Sequence, residues 1–241
     1  MGGTSMHEDF DVESLATYLH LTPAQVVRLA SREKLPGRKI GGQWRFSQAE
    51  IHHWLEKKIG VSDESELVQV EGVLERAENL AGAEVVLIAE WLTPEAIAVP
   101  LAARTRNSVI TSMVQLAART GMLWDEGKMA DAVRAREELH PTALDNGVAL
   151  LHPRRPMSSI VAEPVIALGR TYQGIPFGGR GGQLTDVFFL LCSLTDRDHL
   201  RALARLSRMI ADAAFLTALR ELETPAQVHD FIADAETTLD D

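Results

Sequence analysis

The sequence has almost no cysteine, no long apolar run and no excess of positive charge. Cys192 is its only cysteine, so neither a disulfide framework nor a thiolate zinc site can be assembled within the chain. A reducing cytoplasm is the compartment this usage suits. The longest apolar runs, such as Val187–Cys192, are far too short to span a bilayer, so no membrane partner is expected. Met1–Phe10 lacks the basic region and apolar stretch of a secretory signal. The formal net charge of −10 argues against a protein that coats nucleic acid nonspecifically.

What is there suits a globular protein. The 241 residues are 46% hydrophobic and 24% charged, enough apolar material for one large core or two smaller ones. Charge is unevenly placed. Between Phe10 and Gly60 there are eight basic side chains and five acidic ones, so this stretch is positive while the remainder is strongly acidic. Such asymmetry suggests separate tasks. The chain is expected to divide into a tail (1–9), a basic domain (10–60), a linker with an amphipathic helix through Leu67, Val70, Leu74, Ala77 and Ala81 (61–91), and a larger domain (92–238).

In the basic domain, Asp11 is a natural N-cap for a helix over Val12–Tyr18. Thr22-Pro23-Ala24-Gln25 forms a capping box with proline at the first helical position, opening a helix to about Arg32. Arg38–Phe46 reads as two short strands about a Gly41-Gly42 turn. Ser47–Glu50 opens a third helix carrying Ile51, Trp54 and Leu55. Helix, turn, helix, hairpin, helix is the pattern of a winged helix-turn-helix, whose second helix enters the major groove of DNA. Gln25, Arg28 and Arg32 on that helix are the candidate base-edge readers, because Gln and Arg can pair bidentately with bases. Lys39 and Arg45 on the hairpin suit phosphate or minor-groove contact. Leu15, Leu19, Val26, Leu29, Ile51 and Leu55 read as core, and Trp44 and Trp54 as packing. A helix-turn-helix used for protein contact remains the alternative.

The residues Val12–Leu19, Val26–Leu29, Leu35-Pro36 and Ile40-Gly41-Gly42-Gln43-Trp44-Arg45-Phe46 resemble the excisionase-like branch of the MerR-type winged helix proteins. That resemblance implies DNA as a partner. Helix-turn-helix readers commonly pair on two half-sites, so a homodimer is one partner to test for.

Beyond Leu92 the pattern changes to strands interleaved with helices, the signature of an α/β domain. Helices are expected after Thr93-Pro94, over Ser108–Thr120, Lys128–Leu139 and Asp196–Leu222, and from Thr224 to about Ala235. Strands are expected over Val148–Leu151, Ile160–Leu168 and Val187–Leu191. His152 ends the first of these strands. A strand end holds a side chain rigidly, and neutral imidazole is a competent nucleophile near pH 7. Phosphoryl transfer mainly requires positioning and positive charge around the phosphoryl oxygens. Arg136 on the preceding helix can supply the charge, and His199 at the start of the long helix can supply a donor.

Arg136-Glu137, Thr142, Asn146-Gly147-Val148-Ala149 and His152, with Asp198-His199-Leu200 further on, resemble the IIA proteins of the bacterial phosphotransferase system, of the fructose/mannitol and nitrogen-regulatory class. The resemblance covers about Leu92–Glu236. It implies a mixed sheet flanked by helices. It further implies that His152 accepts a phosphoryl group from a phosphohistidine carrier of the HPr type, with Arg136 and His199 in support. Leu151 and Pro153 stand where that family carries proline and glycine. A regulator switched by phosphorylation, a carrier passing the group to a IIB-type partner, and a regulator that senses a ligand or protein without being phosphorylated all stay open. The chemistry expected is that of a phosphoryl acceptor and needs no cofactor. Glu50, His52 and His53 diverge on a helix and make no metal set. The glycines of Gly178–Gly182 lack the Lys-Ser/Thr of a nucleotide cradle.

Overall fold

A computed structural model describes residues 9–19, 21–47, 50–51, 54–55 and 87–239. The amphipathic helix expected around 67–81, most of the tail, and His20, His52 and His53 lie outside the described residues. The chain divides into two compact units, Met1–Val85 and Val86–Asp241.

In the first unit, α1 (Val12–Leu19) starts at Asp11, whose Oδ1 accepts from the Ser14 N–H at 2.8 Å. The helix α2 (Pro23–Ser31) has the full capping box: Thr22 Oγ1 accepts from the Gln25 N–H, and Gln25 Oε1 accepts from the Thr22 N–H at 2.8 Å. Strands β1 (Arg38–Ile40) and β2 (Gln43–Arg45) pair antiparallel with Ile40 opposite Gln43. The turn between them places Gly41 and Gly42 at φ 59° and 82°, the two positive values that a type I′ hairpin demands and that glycine accepts at no steric cost. Phe10 bridges to Phe46 and so ties the wing to the start of the domain. Leu15, Val26, Leu35, Phe46, Ile51 and Leu55 form the core. Glu50, Ile51, Trp54 and Leu55 are helical.

The second unit is a helix–sheet–helix sandwich. It opens with α3 (Ile88–Trp91), a three-residue 3₁₀ turn (Pro94–Ala96) and the short strand β3 (Ile97–Ala98). Then come α4 (Arg106–Arg119), α5 (Glu126–Leu139), β4 (Val148–Leu151), β5 (Val165–Pro176), β6 (Leu184–Cys192), α6 (Asp196–Ala211), α7 (Ala213–Glu221) and α8 (Pro225–Leu239). The sheet order is β3-β5-β6-β4, with β4 parallel to β6, β3 parallel to β5, and β5 antiparallel to β6. Val109, Met113 and Leu116 of α4 and Met129 and Val133 of α5 pack on Ala149, Leu151, Phe188, Leu190 and Cys192 of one sheet face. Helix α6 lies against β6 and is joined by α8 and α3. β4 and the middle of β6 are buried on both faces, which explains their unbroken apolar sequence.

Three expectations are corrected. The long helix expected over Asp196–Leu222 is two helices, because Asp212 takes an extended conformation (ψ 114°) and its Oδ1 accepts from the Ala214 N–H at 2.8 Å. An aspartate that caps from a non-helical position ends one helix while starting the next. The strand expected from Ile160 begins at Val165 and continues to Pro176. Val161 instead bridges to Leu123 in the α4–α5 connection. The helix expected after Thr93-Pro94 is only the 3₁₀ turn.

Candidate functional site

Two parallel strands bring the candidate site together. Leu151 of β4 lies in register with Leu190 of β6, so both strands run out at the same edge. His152 follows β4 directly. β6 is followed by Thr195, which caps α6 by accepting from the Asp198 N–H at 3.1 Å, and His199 sits in the first turn of that helix. The two imidazoles meet there, with ring centroids 4.9 Å apart and planes tilted by 58°.

His152 Nδ1 lies 2.8 Å from the Leu150 carbonyl oxygen. A carbonyl only accepts, so Nδ1 carries the proton, and in the neutral ring the lone pair is on Nε2. The rings are recessed, at 3% and 5% exposure for His152 and His199, so a reacting group has to enter the site to reach Nε2. Arg136 is buried in the last turn of α5, where its Nη1 donates to the His140 carbonyl at 2.8 Å. The glycine loop that follows β5 lies against Pro141, close in sequence to His140.

Asn146 and Gly147 serve the opposite end of β4. Asn146 Nδ2 donates to the Ile210 carbonyl at 2.9 Å. Arg220 grips both Asp186 carboxylate oxygens at 2.8 Å and donates to the Asn146 carbonyl at 2.8 Å. These residues are a clamp on the strand's start rather than part of the histidine pair.

Sequence reasoning attached no role to Glu137 and overlooked Arg106. Glu137 is 1% exposed and accepts from Arg106 Nη2 at 2.9 Å and from the Thr142 N–H at 3.1 Å. The signal was present in the spacing, since Glu137 continues the buried stripe Met129, Ala130, Val133 of α5.

In the first unit, Arg28 and Arg32 are exposed at α2 and at its C-terminal cap. Gln25 is half-buried, and its Oε1 is occupied by the capping box, accepting from Thr22 N–H and Oγ1–H. Lys39 lies over the Trp44 ring at 5.2 Å. Arg45 is half-buried, 3.9 Å from Asp11.

A mixed four-stranded sheet between helices, with two histidines meeting at the shared end of β4 and β6, in a chain that also carries a winged helix-turn-helix unit, defines the class. Residues 90–235 match the family described as phosphoenolpyruvate-dependent sugar phosphotransferase system, EIIA 2. The chain belongs to that family, and residues 10–59 match a helix-turn-helix domain. Over 151 residues the chain is 31% identical to a nitrogen regulatory protein of Bradyrhizobium diazoefficiens, covering 61% of this chain and 94% of that one. It is 28% identical over 147 residues to the fructose-specific EIIABC component of the phosphotransferase system of Bacillus subtilis, spanning 60% of this chain but only 23% of that relative. The fold is shared with the nitrogen regulatory protein IIA-Ntr of Neisseria meningitidis, at TM-score 0.55 and 20% identity, over 60% of this chain and 98% of that one. Among the described residues no helix is long and apolar enough to cross a membrane.

Proposed function

We propose that this chain is a DNA-binding transcription regulator whose EIIA-like unit receives a phosphoryl group on His152 from a phosphohistidine carrier of the HPr type. The observation that carries the reading is the His152–His199 pair, with His152 Nδ1 against the Leu150 carbonyl, in a chain that also contains a helix-turn-helix. In the transfer, the Nε2 lone pair of His152 attacks the phosphorus of the donor phosphohistidine. The donor's P–N bond breaks, and its imidazole nitrogen keeps the electron pair. Arg136 and His199 supply charge and a donor to the phosphoryl oxygens. The new anionic group, placed in a recessed site, alters packing and charge at the edge of the unit and thereby DNA affinity. The DNA face is α2 and the wing, with Arg28 and Arg32 toward base edges, Lys39 and Arg45 toward the backbone, and Gln25 contributing its remaining amide N–H groups. Two copies on two half-sites, acting in the cytoplasm, complete the picture.

The test is incubation with a phosphorylated carrier and its upstream kinase, followed by DNA-binding measurement. His152 is expected to take the label, His152→Ala to lose it, and DNA affinity to change with labelling. Label that survives His152→Ala removes the site. Label that passes on to a IIB-type partner favours a carrier instead, and unchanged DNA affinity on labelling favours a regulator that senses a ligand or protein without a phosphorylation switch. A solved IIA protein with this fold, 17% identical and at TM-score 0.50, forms a complex with a phosphorylated IIB partner, and that observation motivates the second reading.

A further inference from the structure

We infer that Glu137 is a positioning residue for His152, setting which ring nitrogen carries the lone pair through Thr142 and the backbone at Leu150. The inference deepens the reading of His152 as the phosphoryl acceptor and rests on it.

The path is continuous. Glu137 Oε1 accepts from both the N–H and the hydroxyl of Thr142. Arg106 neutralises the same carboxylate at Oε2, 2.9 Å away, and also donates to the Glu137 carbonyl at 2.7 Å. The Arg106 guanidinium is itself braced over the Phe177 ring at 5.4 Å. Thr142 begins a short edge segment antiparallel to β4: its carbonyl accepts from the Leu150 N–H at 3.4 Å, Ala143 bridges to Ala149, and the Leu144 N–H donates to the Val148 carbonyl at 2.8 Å. The Leu150 carbonyl then holds His152 Nδ1 at 2.8 Å.

Two physical points give this path a consequence. A carboxylate is costly to bury, and this one is matched by an arginine and by two donors from one threonine. An acceptor-only group suits that task, because it takes both Thr142 donors without offering a competing one. In water, the neutral histidine ring prefers its proton on Nε2. The Leu150 carbonyl enforces the opposite tautomer while the backbone on either side of the Leu150 Cα keeps its place, held on one side by pairing of β4 with β6 and on the other by the Thr142 carbonyl at the Leu150 N–H. Release of Thr142 loosens the edge segment and frees the Leu150 N–H, so the outer side of β4 at Leu150 can shift and with it the carbonyl of the next peptide, letting the proton move to Nε2 and removing the nucleophilic lone pair.

The experiment uses the full-length protein and the variants Glu137→Ala, Glu137→Gln and Thr142→Val, with folding followed by circular dichroism. The first readout is the His152 tautomer, from nitrogen-15 imidazole spectra assigned with His152→Gln. The wild type is expected to show protonated Nδ1, and Glu137→Ala and Thr142→Val a mixture of tautomers. The second is the initial rate of phosphoryl transfer from a phosphorylated carrier, expected to fall roughly 10–100-fold in Glu137→Ala. The carrier concentration for half-maximal rate should stay the same, and Glu137→Gln should restore part of the rate, since its oxygen still accepts from Thr142. If the glutamate variants do not fold, Thr142→Val decides alone. A wild-type ring protonated on Nε2, or a folded Glu137→Ala or Thr142→Val with an unchanged tautomer, overturns the inference. The spectra need no phosphoryl donor, so this result stands apart from any failure of wild-type protein to be labelled.

Discussion

Glu236 and Arg205 form an ion pair at 2.6 Å in which both side chains are 3% exposed. The same carboxylate accepts from the backbone N–H groups of Ile88 and Ala89 at 2.7 Å each. Leu87, at the N-cap of α3, supplies no side-chain cap, so the last helix of the unit provides the missing acceptor for the first. Breaking such a pair leaves a buried charge and two amide donors unmet. Glu236→Ala is expected to cost roughly 3–5 kcal/mol. An Arg205→Met/Glu236→Leu double variant should recover much of the loss, since it removes both charges together. Denaturant unfolding of the three proteins checks this. A single variant costing less than the double would show that the pair is not what holds these helices.

Cys192 is buried in the sheet, and burial pushes its thiol up to about 12 from an ordinary value of 9.0. Thiolate is the reactive form, so the native protein should not react with a thiol reagent at neutral pH, and reaction should track unfolding. Above about pH 9 the unfolded thiol loses its proton while the folded one keeps it, so stability falls as pH rises from about 9 toward 12. A reagent that labels Cys192 rapidly in native protein at pH 7 contradicts the burial.

Gly147 sits at φ 85°, and a Cβ there would meet Arg220 Nη2 at 2.8 Å and Asp186 Oδ1 at 3.0 Å. Gly147→Ala therefore combines left-handed strain with displacement of the clamp on β4. A loss of about 2 kcal/mol is expected, seen as a melting temperature lower by about 4–8 °C for a unit of this size. Arg220→Ala opens the space, so Gly147→Ala added to it should cost less than it does alone. Additive losses would show that the arginine and the glycine are not coupled.

Local chemistry was legible in the sequence where one short segment decides the outcome. Thr22–Gln25 states a helix start in four residues, and Thr224 and Gln227 do the same, with the Thr224 N–H donating to Gln227 Oε1 at 3.1 Å. What the sequence concealed depends on distant partners. The apolar periodicity of α6 runs on through Phe215 and Leu219, and it masks the single local cue to the break, the capping side chain of Asp212. Ile160 and Val161 read as strand, yet Leu123 claims Val161 before the sheet can. The approach of His199 to His152 was available only through family resemblance, because parallel pairing of β4 with β6 creates it. Gln25 fitted two roles on paper, and the capping geometry committed its oxygen to one of them.

The exposed face of α2 carries Ala24, Val27, Arg28 and Ser31 at helical spacing. Val27 is 37% exposed, and an isopropyl group left facing outward beside an arginine suits one feature of the major groove, the thymine methyl, while arginine suits guanine. The expected target therefore contains a thymine next to a guanine. Selection from a random duplex pool would identify the site, after which each thymine in it is replaced by deoxyuridine, which lacks only the methyl group. One such replacement should weaken wild-type binding roughly three- to fivefold, the worth of about one buried methyl. Val27→Ala should bind the thymine and deoxyuridine duplexes equally, while Arg28→Ala should still distinguish them. Equal binding of both duplexes by the wild type would remove Val27 from the reading face and leave recognition to the arginines and the wing.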